Sequence, residues 1–161
     1  MDQITYTPIG LIQTPFKDPA GAPIQPAGAK EAAGRVVIEE AYIPGLKDLD
    51  GFSHIILLYH FHRSAGFALE VVPFLDDQPR GLFATRAPRR PNPIGLSVVR
   101  LKRIEGAVLY VEGVDMVDGT PLLDIKPYVP QFDAPAKVCC GWLEKAALRA
   151  GGMRADERFK D

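Results

Sequence analysis

The hydrophobic positions of this chain fall in short runs broken by glycine and proline, the pattern of strands joined by turns. Residues 4–12 read as a first strand, stopped by Thr14-Pro15. Residues 18–34, rich in Pro, Gly and Ala, read as a long loop that wraps the surface or covers a site. A second strand spans 35–43 around Val36-Val37-Ile38, and 44–51 make a turn. The clearest strand is 52–62, where Ile55-Ile56-Leu57-Leu58-Tyr59 is apolar on both faces, as a central strand requires. A short strand at 80–85 follows. Residues 96–104 and 108–114 form a hairpin across Glu105-Gly106-Ala107, where glycine supplies the positive φ of a tight turn. Asp118-Gly119-Thr120 turns into a last strand at 122–126. Only 140–150 shows helical spacing, with Trp142, Ala146 and Arg149 on one face and Gly151-Gly152 as the stop; 153–161 read as a charged tail. Many short strands with few helices predict a mainly β domain, a barrel or a sandwich.

Composition narrows this only a little. At 161 residues the chain suits one domain with a full core, and 47% hydrophobic with 24% charged residues is ordinary for a globular protein. The net charge of -1 excludes a polycation, so any RNA contact must come from a local basic patch or from two copies pooling their patches. Exposed strand edges would offer such a dimer a way to pair. Met1-Asp2-Gln3 lacks the basic start and apolar run of a leader, and no apolar segment reaches membrane-spanning length. Adjacent Cys139 and Cys140 are poor disulfide partners and read as reduced thiols buried near the terminal helix. A cytoplasmic protein without membrane contact is expected.

The chemistry concentrates in two stretches. Residues 83–97 place three arginines and three prolines within a dozen positions. Proline fixes φ and removes a donor, so this is a stiff loop presenting Arg86, Arg89, Arg90 and Asn92 in set directions, suited to phosphate or carboxylate groups. In 113–128, Asp115, Asp118 and Asp124 lie near Lys126 along two strand ends, where carboxylates beside an ammonium can bind hydroxyls or accept a proton. His54, His60 and His62 share one strand parity, but no carboxylate or cysteine stands at a completing spacing, so no metal is expected. Ser53 and His54, as strand neighbours, should point to opposite faces and form no nucleophile–base pair. There is no Gly-x-Gly-x-x-Gly after a strand and no Gly-Lys-Ser/Thr loop, which sets aside a Rossmann-type site.

Three segments together resemble the TrmO (TsaA/YaeB-like) family of S-adenosylmethionine-dependent tRNA methyltransferases: Phe52-Ser53-His54 running to Tyr59-His60-Phe61-His62; Gly81 through Gly95, containing Thr85-Arg86-Ala87-Pro88-Arg89-Arg90-Pro91-Asn92-Pro93; and Asp115-Met116-Val117-Asp118-Gly119-Thr120-Pro121 with Asp124-Ile125-Lys126-Pro127-Tyr128. The resemblance covers roughly residues 4–133. It implies a compact, non-Rossmann, β-barrel-like methyltransferase domain over 1–138 with a helix and tail over 139–161, usually paired as a homodimer. It also implies methylation of N6 on threonylcarbamoyl-adenosine beside the tRNA anticodon. Carried over by position, Pro26, Ala27, Gly28, Arg63, Ser64, Arg86, Leu96, Val114, Asp115, Met116, Val117 and Asp118 would hold S-adenosyl-L-methionine. Asp118 or Asp124 would be the base, Lys126 and Tyr128 would orient the adduct, and Arg89, Arg90 and Asn92 would meet RNA. Two other readings stand beside this one: a cofactor-binding sensor or interaction module, and a small-molecule methyltransferase.

Overall fold

The computed structural model describes residues 2–19 and 32–146. Its centre is a closed six-stranded antiparallel barrel built from β1 (Gly10–Gln13), β2 (Ala33–Ile38), β3 (His54–His60), β6 (Ile94–Glu105), β7 (Val108–Glu112) and β8 (Thr120–Pro127). Around the barrel the order is β1-β2-β7-β6-β3-β8, and β1 pairs with β8 through Gly10↔Leu122 and Ile12↔Thr120 to close it. Two further strands, β4 (Glu70–Val71) and β5 (Arg80–Gly81), form a separate two-stranded sheet.

Alternation decides the packing. In β6, Gly95, Ser97, Val99 and Leu101 point inward while Ile94, Leu96 and Arg100 point out. Ile12, Val36, Ile55, Leu57, Leu109, Val111 and Leu122 fill the interior and are essentially inaccessible to solvent. Each such aliphatic side chain contributes about 1.5–3 kcal/mol on burial. Strand β3 lies between β6 and β8, as its doubly apolar run predicts, with Ile56 and Leu58 half-buried on the outer wall. The β6–β7 hairpin turns at Gly106, with φ of 57°.

Several element bounds differ from the sequence expectation. The first strand pairs only from Gly10, because Ile4 and Tyr6 lie exposed and Pro8 has no N–H to donate. The second strand stops at Ile38; Glu40–Leu46 winds into a 3₁₀ helix instead, closed by the Tyr42 N–H donating to Glu39 O and set by the fixed φ of Pro44. Only Arg80–Gly81 of the 80–85 strand pairs, since Leu82–Ala84 form a 3₁₀ turn capped by the Thr85 hydroxyl on Leu82 O. Ala33 and Gly34, expected in the long loop, belong to β2. Two short helices follow β8: α1 (Pro130–Asp133) and α2 (Leu143–Ala146), the latter inside the expected 140–150 helix, whose remainder lies outside the described residues. Cys139 and Cys140 are exposed, not buried. All six barrel strands have two neighbours, so the barrel offers no free edge for a second copy to extend. No helix among the described residues is long and apolar enough to cross a membrane.

Candidate active site at the Asp115 end of the barrel

After β7 the chain turns at Gly113, with φ of 91°, and crosses one end of the barrel as the segment 114–118. Val114 and Met116 are buried in the core. Between them, half-buried, stands Asp115. Its Oδ1 accepts a hydrogen bond from Ser97 Oγ at 2.6 Å, and Ser97 Oγ lies 3.0 Å from Tyr59 OH. The three residues come from the 114–118 segment, β6 and β3, and make a polar chain through a largely apolar interior.

The electrostatics follow from this enclosure. Burial pushes the Asp115 carboxyl up to about 6, opposed by the Ser97 hydrogen bond and the Arg86 charge. Burial first, then the Asp115 charge, holds the Tyr59 phenol well above its ordinary value, so it stays protonated throughout the physiological range. The Tyr59 ring is seated against Gly95, where any Cβ would collide with it, and packs edge-on with Phe61 at 5.4 Å.

The cofactor residues expected from sequence divide into three groups. Arg63 and Ser64 follow β3, tied to the proline loop by Phe61 N–H donating to Pro93 O, while Arg86 acts on Asp115 and Tyr59 from that loop. The structure therefore brings these three to the Asp115 end. Ser64 Oγ is enclosed there with no hydrogen-bond partner among the described residues. Leu96 is 49% exposed on the outer wall opposite Leu58, the face turned away from Ser97. Pro26, Ala27 and Gly28 lie outside the described residues.

The expected catalytic set does not form one site. Asp118 is a clasp: Oδ2 takes Lys17 Nζ at 2.6 Å and Oδ1 takes the Thr14 N–H at 2.9 Å. The Lys17 hydrogen bond, then the Thr14 amide, hold its carboxyl below the ordinary range, which makes it a poor proton acceptor. Asp124 pairs with Lys126 at 2.7 Å on the barrel's outer wall. Tyr128 sits beyond the far end of β8, its ring edge-on to His54 at 6.4 Å. The eight residues of β8 span ~23 Å, so Asp118 and Tyr128 are at opposite ends of the barrel.

The RNA set also divides. Arg90 turns inward, its Nη1 donating to Thr85 O at 3.0 Å and Ala87 O at 3.3 Å, with the guanidinium over the Phe83 ring. It braces the proline loop, which has few internal backbone donors, and is not displayed to a partner. Arg89 is half-buried and Asn92 exposed. The histidines share parity but not surroundings: His60 stays on the outer face, while His62 Nδ1 lies 3.4 Å from Thr120 Oγ1, and burial followed by the Arg63 charge lowers its pKa. Contrary to the parity expectation, Ser53 Oγ does reach His54 Nδ1, at 3.0 Å. Ser53 precedes β3, so strand alternation does not govern it; the pair is exposed at the end opposite Asp115.

Sequence reasoning missed Tyr59 and Ser97. A signal was present: Ser97 is the polar residue at an inward position of β6, among Gly95, Val99 and Leu101.

Comparison with known proteins agrees with this architecture. The structure superposes on the crystal structure of TrmO from Pseudomonas aeruginosa with a TM-score of 0.74 and 38% identity, covering 88% of this chain and 63% of that one. A probable S-adenosyl-L-methionine-binding protein of Pyrococcus abyssi is 53% identical over 97% of this chain and 85% of its own length. The mouse tRNA (adenine(37)-N6)-methyltransferase is 37% identical over 80% of this chain, which spans 31% of that enzyme. The profile of the tRNA-methyltransferase O N-terminal domain matches residues 11–134, from the second residue of β1 to just past α1, and so takes in the whole barrel with its Asp115 end. By fold and by that match, the chain belongs to the tRNA-methyltransferase O N-terminal domain family.

Proposed function

We propose that this protein is an S-adenosylmethionine-dependent methyltransferase acting on N6 of threonylcarbamoyl-adenosine beside the tRNA anticodon. The reading is carried by one observation: the barrel of a TrmO-family chain gathers Ser64, Arg86 and Asp115 at one end, with a buried hydroxyl, a cation and a carboxylate. These residue types fit the donor. Arg86 would take its carboxylate as a forked cation, the enclosed Ser64 hydroxyl would satisfy a further polar atom, and the 114–118 backbone would line it. The bound donor supplies a methyl group already activated on a positive sulfur. The protein's task is therefore to orient the acceptor nitrogen about 3 Å from that carbon, exclude water and receive a proton.

Two copies pooling their Arg86–Arg89 loops would supply the phosphate contacts that a single chain of net charge -1 lacks, and a tRNA substrate would place the protein in the cytoplasm. A second reading has a specific support. The Pyrococcus relative, 85% of whose length this chain spans, is named only for binding S-adenosylmethionine, whereas the named tRNA enzyme is far longer. Calorimetric titration of S-adenosylmethionine into the wild type and Arg86→Ala tests the common part. Binding that the substitution abolishes supports both readings, and methyl transfer to tRNA bearing threonylcarbamoyl-adenosine separates them.

A further inference from the structure

We infer that the Tyr59–Ser97–Asp115 chain is the proton-accepting device of this transfer: Asp115 receives the proton of the acceptor nitrogen, and Tyr59 and Ser97 are positioning residues that aim its carboxylate. The inference rests on the methyltransferase reading above and deepens it.

The chain has only one consistent polarity. An ionised carboxylate can only accept, so Ser97 must donate to Asp115 Oδ1 across 2.6 Å. Its own oxygen is then left to accept from Tyr59 OH at 3.0 Å. Every donor points toward Asp115, and Asp115 is the one member whose protonation can change, because the phenol is held far above neutral pH.

A barrel with no use for this chain would place Phe and Ala here. Tyr59 and Ser97 are 4% and 1% exposed, and polar groups buried that deeply destabilise unless fully paired. The geometry is held hard on both sides. Gly95 leaves room for the Tyr59 ring and for nothing larger, Phe61 packs its edge, and the core residues Val114 and Met116 fix the backbone on either side of Asp115. Such a rigid second layer is what a positioned catalytic carboxylate needs.

The other carboxylates are unsuited. Asp118 is committed to Lys17 and the Thr14 amide, and Asp124 to Lys126 on the outer wall. The groups that act on Asp115 are Tyr59 and Ser97 from the barrel wall and Arg86 from the proline loop. With its carboxyl at about 6, Asp115 is ionised at neutral pH and yet basic enough to take a proton, near the balance that general-base catalysis favours. In the step, the nitrogen forms the N–C bond while sulfur keeps the electron pair of the broken C–S bond. The N–H pair stays on nitrogen, and the proton moves to an Asp115 oxygen. Atoms and charge balance without another reactant.

The test is single-turnover methylation of threonylcarbamoyl-adenosine tRNA with radiolabelled S-adenosylmethionine at saturation, from pH 5 to 9. Wild type, Asp115→Asn, Ser97→Ala and Tyr59→Phe are compared, with calorimetric binding of S-adenosylmethionine and circular dichroism on each. Asp115→Asn is expected to lose roughly 10²–10⁴-fold in rate while still binding the donor. The wild-type rate should fall as pH drops through about 6. Ser97→Ala should move that acid limb to higher pH, since the carboxylate loses a donor, and Tyr59→Phe should move it less; a merely structural role would not shift the limb. An Asp115→Asn rate within twofold of wild type at saturating donor overturns the assignment. Unmoved acid limbs in folded Ser97→Ala and Tyr59→Phe do so as well. A wild type that binds S-adenosylmethionine but transfers nothing to tRNA overturns the tRNA reading itself, and the assignment falls with it, a result distinct from the other two.

Discussion

Lys17 Nζ lies 2.6 Å from Asp118 Oδ2, joining residues 101 positions apart. Asp118 also receives the Thr14 amide, and its own N–H donates to Phe16 O at 2.7 Å, so the chain after β1 is laced to the chain before β8. The ammonium is 75% exposed and its ion pair should contribute little, under ~1 kcal/mol, whereas the amide bond is partly shielded from water.

The two halves of this clasp therefore separate by mutation. Lys17→Met is expected to change thermal stability hardly at all, while Asp118→Ala, which strands the Thr14 N–H, should cost about 1–2 kcal/mol. Denaturant titration of the two variants measures the difference. Equal losses would mean that the ion pair, and not the amide bond, holds the segment.

Gly95→Ala should be among the most damaging small substitutions in the chain. The added methyl meets the Tyr59 ring, whose buried position allows little retreat, and over-packing of this kind costs about 1–3 kcal/mol. Methyl transfer should fall as well, because the phenol moves off Ser97. A double variant with Tyr59→Leu should recover stability but not transfer.

Arg86 and Arg90 of the proline loop have opposite duties. Arg90→Ala removes the brace on Thr85 O and Ala87 O and is expected to lower the melting temperature, with proteolysis appearing within residues 85–93. Arg86→Ala should remove S-adenosylmethionine binding. Thermal melts read beside calorimetry decide this, and a reversed pattern would exchange the roles assigned here.

Asp115 links stability to pH in an unusual direction. Its carboxyl has a folded value of about 6, above the ordinary carboxyl value of 3.8. The folded state therefore binds its proton more tightly than the unfolded state does. This group's contribution to stability is greatest below pH 4 and declines as pH rises to about 6, beyond which the penalty is constant. Asp115→Asn keeps an acceptor for Ser97 without the charge, so it should melt above wild type at pH 8 and close to it at pH 4. Asp118, with its lowered value, contributes in the opposite sense, above its unfolded value and less as pH falls. Melting curves of both Asn variants across pH 3–8 test the pair of signs.

Much of the barrel is legible in one dimension. Strand β3 announces itself by its doubly apolar run, β6 and β7 by the glycine turn between two β-rich runs, and the proline loop because proline forbids the alternatives. The 3₁₀ helix Glu40–Leu46 is not legible, since Ala41-Tyr42-Ile43 carries as much strand preference as helical, and Pro44 and the Glu39 carbonyl decide. The site divides in the same way. Asp115 and Asp118 stand three residues apart in one motif, and nothing local distinguishes them. Which is enclosed beside a serine and which is clasped by a lysine depends on β6 and on the end of β1, both far away in sequence. Tyr59 was hidden inside an apolar run, where an aromatic ring reads as core and its hydroxyl goes uncounted.

The β1–β8 seam has a consequence for synthesis. Gly10–Ile12 must wait for Thr120–Leu122, so roughly the first 120 residues leave the ribosome before the barrel can close. Until then β1 and β3 each lack a partner on one side and the interior stands open to water. The clasp of Thr14 and Lys17 on Asp118 forms in the same moment, and it anchors the segment that carries Asp115. A nascent chain of this protein thus carries no half-built Asp115 end: the last pairing that completes the fold also secures the carboxylate.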